Sequence, residues 1–398
     1  MVAVIFPFAP QIRRGPYTVT HEYRTDVITT RSGREQRRAL RQTPRKRVQY
    51  MMAETGDCLR AFDRAMLTAQ AELLAIPDRV RYATIAAGIA GSGTTATVDA
   101  VPLWLVDPST VVLMAPGRQA LRTVTDITGL VVTFAESEAT AWPADTRLHP
   151  ALQGYLAAQL EAPLVMTRGV IETEVSFEVD PGSEPAEDAG TAAVTLGGHE
   201  VFLTRPDKFQ PINLTRQQDG AEVADYGMGR VSRYFPIAFA TRVMRGHYTA
   251  CSPAKAELLR QLFQRMQGRR GEFLMPTFQA DMVPVSGLTA AGTTLTVEGT
   301  EVDAAYDGST VFKAVAIRLT SGTWITRLVS GLAPSGGNTV VTVTAAWGVT
   351  VEPSGIDYVS WLPLWRFGSD ELAFVWQRED VAQITPALQM LEYFTGEA

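Results

Sequence analysis

Cysteine and histidine are scarce in this chain, with 2 and 4 among 398 residues. Cys58 and Cys251 cannot build a disulfide framework, and two free thiols suit a chain made in a reducing cytosol. His21, His149, His199 and His247 stand singly, with no CxxC, HExxH or Cys/His cluster, so no zinc site or other metal is expected. No apolar run reaches the ~18 residues of a membrane-spanning helix. The opening MVAVIFPFAP lacks a basic start and is broken by prolines, so it does not read as a signal peptide. GxSxG, P-loop and post-strand GxGxxG patterns are all missing, and GMGRVS at 227–232 reads as a turn. The reading is therefore a non-enzyme without cofactor. Lys and Arg (36) are outnumbered by Asp and Glu (42), and the net charge of −6 argues against a general nucleic-acid coat.

Apolar residues make up 46% of the chain, enough for a sizeable core, and the length suggests two or three domains. The 32 Gly and 23 Pro, with many Val and Thr, point to a turn-rich, mainly β chain.

Internal similarity organises the rest. GSGTTATVD at 91–99 and AAGTTLTVE at 290–298 lie 199 positions apart. At spacings near 200, ELLAIP (72–77) matches EFLMP (272–276), VIFPFAP (4–10) matches VFLTRPD (201–207), and ETEVSFEV (172–179) matches ELAFVWQR (371–378). A tandem duplication follows. The expected fold is mainly β: two β-barrel or sandwich units, each with one packed helix and an added small β-domain.

The first unit spans 1–84 and 146–180, with a helix at 57–75 and an inserted β-domain at 85–145. An acidic linker is expected at 181–199. The second unit spans 200–284 and 366–398, with a helix at 253–267 and an inserted β-domain at 285–365. Ser252 and Pro253 form a helix start, Gly268 a stop, and Leu258, Leu259, Leu262, Phe263 and Met266 an apolar face. The segment 150–161, PALQGYLAAQLE, reads as a further helix, and 170–179 and 370–378 as the strands closing each half.

The densest charge feature, RSGREQRRALRQTPRKR at 31–47, holds seven Arg and one Lys against one Glu. No aromatic residues interleave with it, as a stacking platform for nucleic acid requires. A subunit interface that offers carboxylates to the forks of Arg34, Arg37, Arg38, Arg41, Arg45 and Arg47 fits better. Five of the seven tryptophans lie beyond residue 320 and read as core or interface side chains rather than a sugar platform.

The stretch TDVITTRSGREQRRALRQTPRKRVQY at 25–50, with its turn Gly33-Arg34-Glu35-Gln36-Arg37, resembles the opening of distal and minor tail proteins of long-tailed bacteriophages. AELLRQLFQRMQGRRGEFLMPTFQAD at 256–281 resembles the same family through a helix, a basic glycine turn (Gly268, Arg269, Arg270, Gly271) and an aromatic-proline strand. The resemblance implies a structural ring in the virion at the tail tip, assembled in the host cytoplasm. Such a ring joins the tail tube to the hub or receptor-binding proteins. DNA passes through its lumen without sequence-specific binding, and nothing inserts into a membrane. It implies a self-assembling ring, with six copies preferred and three as the rival. The alternative is a carbohydrate-binding or cell-wall-degrading tail-associated protein.

Overall fold

The computed structural model describes residues 4–6, 8, 10–11, 14–30, 34–55, 62, 64, 72–137, 139–156, 164–165, 170–181, 189–207, 210–217, 222–225, 227, 229, 231–234 and 241–393. It is mainly β. The first half contains β1 (Val4–Ile5), β2 (Tyr17–Thr29), β3 (Glu35–Thr55) and β4 (Leu74–Pro77). An inserted set follows: β5 (Ala83–Thr84), β6 (Thr95–Thr97), β7 (Ser109–Ala115), β8 (Arg118–Thr128) and β9 (Val131–Phe134). The chain returns through β10 (Arg147–Leu156), β11 (Leu164–Val165) and β12 (Val170–Val179).

The second half opens with β13 (Thr195–Leu196), β14 (His199–Val201), β15 (Asn213–Gln217), β16 (Glu222–Asp225), β17 (Val231–Tyr234), β18 (Thr241–Arg245) and β19 (Tyr248–Ala250). Helix α1 (Pro253–Met266) and β20 (Phe273–Leu274) follow. Its inserted set is β21 (Thr294–Glu298), α2 (Glu301–Tyr306), β22 (Ala314–Leu319), β23 (Trp324–Ser335), β24 (Asn338–Val343) and β25 (Ile356–Trp361). The chain ends through β26 (Leu364–Phe367), β27 (Glu371–Arg378), β28 (Val381–Ile384) and β29 (Ala387–Met390).

The two halves repeat one strand order. Unit 1 runs β1–β4–β10–β12–β3–β2, and unit 2 runs β14–β20–β26–β29–β18–β15. In each, the first pair is parallel and the rest antiparallel. The inserts also correspond, as β6–β9–β8–β7–β10 and β21–β24–β23–β22–β25. At the start of the inserts the offset of 199 is kept at single bonds. The bridge Ile85↔Val98 is matched by Pro284↔Val297, and the turn bond from Gly93 N–H to Ala90 O (2.9 Å) by Gly292 N–H to Thr289 O (2.9 Å). Among the described residues neither path of strands closes into a ring.

Helix α1 shows how local chemistry sets an element. Ser252 Oγ accepts from Lys255 N–H, Pro253 takes the first helical position, and Gln267 and Gly268 turn left-handed at its end. Ala256, Leu259, Leu262, Phe263 and Met266 are buried. Leu258, expected on the packed face, is 50% exposed. At about 100° per residue it falls roughly a quarter-turn from the centre of that stripe, beyond its edge.

Several expectations are corrected. The segment read as a helix at 150–161 is strand β10 as far as Leu156. It pairs with β4, β5, β7 and β12 and is buried on both faces from Leu148 to Leu152, so that part of its apolar run lacks the alternation that marks a strand. Gly154 is required there, because a Cβ would lie 2.0 Å from the Glu178 carbonyl oxygen of β12. Of the helix expected at 57–75, only Phe62 and Arg64 are described as helical, and Leu74 and Ala75 belong to β4. Cys58 lies outside the described residues, and Cys251 is an exposed free thiol.

The stretch 181–199 is not all linker, since β13 and the start of β14 already belong to unit 2's sheet. Residues 371–378 do not close their own half. That place falls to β29, the register counterpart of β12, while β27 crosses to unit 1.

Candidate subunit interface

The seam between the units is a continuous sheet. β2 pairs antiparallel with β27 from Tyr17↔Trp376 to Glu22↔Glu371, so unit 2 supplies the strand that covers unit 1's outer edge. β28 and β19 extend the same sheet. At the end of β27, the Asp370 carboxylate ties three segments together. It accepts from Thr25 N–H (2.7 Å), the Thr25 hydroxyl (2.9 Å) and Arg269 N–H (2.9 Å), while its carbonyl accepts from Tyr23 N–H (2.8 Å). Gly268, with φ +67°, passes so close that a Cβ would lie 2.6 Å from Asp370 Oδ1. Aromatic packing completes the joint. Tyr23 meets Phe263 edge-on at 5.5 Å, Phe263 meets Phe367 at 4.9 Å, and buried His21 stands edge-on to Phe374 at 5.6 Å.

The basic run lies on the long β2–β3 hairpin. A strand sends alternate residues to opposite faces, and burial follows that period over 34–41. Glu35, Arg37 and Arg41 turn inward. Glu35 takes both arms of Arg366 on β26 (2.8 and 2.9 Å), with both side chains buried. Arg37 pairs with Glu272, and its other bonds reach Arg270 O (2.9 Å) and the Tyr393 hydroxyl (3.2 Å). Burial works against the Arg37 charge, but Glu272, Tyr393 and Glu35 together outweigh it and hold the guanidinium above its usual range. Arg41 returns to Glu22 of β2 (3.3 Å).

Arg34, Arg38, Arg45 and Arg47 are exposed, and Arg47 stands 3.9 Å from Glu178. The structure thus divides six arginines of the 31–47 run. Arg37 and Arg41 meet carboxylates within their own chain, while the other four face outward. Arg366, Glu272 and Asp370 were not singled out from sequence. They are isolated charges far along the chain, and the Gly268–Gly271 turn beside them was the nearest signal.

Unit 2's outer edge is different. Among the described residues, no strand pairs with the outer side of β15. Residues 211–216 are exposed, with Leu214 at 45%. The register pairs Val19↔Val48 and Leu214↔Met244 occupy the same place in the two units, yet Val19 is only 5% exposed. Beside β15 runs a groove lined by Leu214, Arg242, Asp281, Tyr306, Phe312 and Trp361. Burial pushes the Asp281 carboxyl up, against the opposing bonds from the Thr277 hydroxyl and Trp361 N–H.

Five tryptophans, at 142, 347, 361, 365 and 376, are buried in cores. Burial lowers the pKa of His149, whose Nδ1 lies 2.9 Å from Asp78 O, and of His199, which is 3.8 Å from Glu272. Among the described residues no three His, Cys, Asp or Glu side chains cluster to hold a metal ion, and no helix is long and apolar enough to cross a membrane. No family model matches the chain, and no curated protein matches it.

Proposed function

We propose that this chain is a structural component of a bacteriophage tail tip, a ring that joins the tail tube to the hub or receptor-binding proteins and leaves a lumen for DNA. The reading rests on the tail-protein resemblance of residues 25–50 and 256–281. The observation that carries it furthest is the repeated strand order of two units joined edge to edge in one sheet. A ring grows by adding equivalent units side by side, and one such addition is already made within the chain. That weighs for three copies rather than six, since three two-unit chains offer six similar faces to a six-fold tube. In this reading the protein performs no catalysis and sits in the virion. Binding the tail tube is its central interaction. The exposed Arg34, Arg38, Arg45 and Arg47 remain available to a neighbouring tail protein.

Electron microscopy of virions labelled with antibody against this chain tests the reading. Label confined to the tail tip supports it, and label on the head, or none on intact particles, refutes it.

A further inference from the structure

The repeat makes the two grooves comparable, and they differ in one respect. In unit 1 a cavity of about 420 Å³ runs beside β2, past the chain after β4 and the insert residue Trp104. Its remaining walls come from unit 2: Pro253 and Arg260 of α1, and Phe374 and Trp376 of β27. In unit 2 the corresponding groove has the matching walls. β15 replaces β2, Thr277 and Asp281 replace Asp78 and Tyr82 at the offset of 199, and Tyr306 and Phe312 come from the insert. No counterpart of α1 or β27 lies in it, and Ile212 and Leu214 stand exposed at 38% and 45%.

The other side of the seam shows the same asymmetry. Unit 1's hairpin arm docks on unit 2 through Glu35 and Arg366. Unit 2's corresponding arm is the hairpin β16–β17, between β15 and β18. It docks on nothing described and exposes Val223, Val231 and Tyr234 at 59%, 46% and 53%. The register position of Arg366 in unit 1 belongs to Tyr155, as Arg366↔Gln389 and Tyr155↔Glu178 show, and Tyr155 is 47% exposed. Among the described residues, the chain therefore carries one completed seam and, in the open β15 edge with its groove and arm and in the exposed Tyr155 position, unpaired counterparts of parts of both its sides.

We propose that a second copy of this chain completes a second seam. The β15 edge, its groove and the β16–β17 arm of one copy receive unit 1 of the next, around Tyr155, in a head-to-tail contact that repeats the internal seam. An edge strand with exposed apolar side chains is a template for such pairing. The contact is heterologous, so it propagates until the rotation closes a ring. The inference rests on the repeat and supplies the tail-tip reading with its subunit contact.

The test uses two variants of the full chain, Ile212→Asp with Leu214→Asp, and Tyr155→Asp, analysed by native mass spectrometry and sedimentation. All three side chains are partly exposed, and circular dichroism and urea midpoints check the fold. The wild type should form oligomers, and each variant should lose self-association by ~100-fold or more and run as a monomer. Mixed together, the two variants should form a one-to-one dimer and nothing larger, because one intact face of each kind remains. A monomeric wild type, variants that assemble like the wild type, or a mixture that stays monomeric would overturn the proposal. Assembly without tail-tip labelling would instead sink the tail reading and leave this contact standing.

Discussion

Removing the carboxylate of Glu35 strands a buried cation. Arg366 is 2% exposed, and Glu35 accepts both of its side-chain forks at 2.8 and 2.9 Å, while its remaining bond goes to the Phe367 carbonyl. Breaking such a pair from one side costs about 3–5 kcal/mol, because the desolvated charge loses its compensation. Glu35→Ala should therefore destabilise the protein by that amount and loosen the β2–β3 arm from unit 2. Replacing both partners by apolar side chains, Glu35→Leu with Arg366→Met, removes the charge along with its counterion. It should recover most of the loss, leaving the double variant within about 1 kcal/mol of wild type. Urea titrations followed by tryptophan fluorescence give both numbers, and the double-mutant cycle gives the coupling. A loss below about 1 kcal/mol for Glu35→Ala would mean that water reaches the guanidinium. A double variant worse than the sum of the singles would refute the reasoning altogether.

Phe263, 1% exposed between Tyr23 and Phe367, should cost about 3–5 kcal/mol on truncation to alanine, read from the shift in urea midpoint. Asp281 holds its proton more tightly folded than unfolded, since burial raises its pKa, and Glu392 is shifted the same way for the same cause. Their contribution is fully present below the unfolded carboxylate values and is lost as pH rises through the raised folded ones. Asp281→Asn should accordingly flatten the fall in stability as pH rises from below the unfolded carboxylate range. An unchanged slope in urea midpoints across that range would count against burial as the cause.

The repeat was legible because turns constrain sequence more tightly than strands do. The GTT turn and the strand after it keep both their residues and their 199-residue offset, down to single backbone bonds. Helix α1 was legible from its caps. β10 was not, because its Leu148–Leu152 stretch, buried on both faces of a strand with four partners, loses the period of two. The β2–β27 pairing was hidden for another reason. It joins Thr25 to Asp370, 345 positions apart, and nothing in either segment names its partner. The arginine run showed its charge but not its alternation of faces, and Arg37's partner lies on the same chain.

The strand that covers β2 is made long after it. At roughly 5–20 residues per second, more than 300 residues and some tens of seconds of synthesis separate Thr29 from Glu371. Throughout that interval unit 1 leaves the ribosome with an open sheet edge, beside neighbouring nascent chains that carry the same edge. β2 is written to survive the wait. Glu22, Arg24 and Asp26 place three charges along it, and charges on an open strand discourage a wrong partner from zipping on. The arrival of Glu371–Arg378 then acts as a timer. The chain cannot offer a finished first unit to any assembly until β27 has been translated, so products that stop before it exclude themselves.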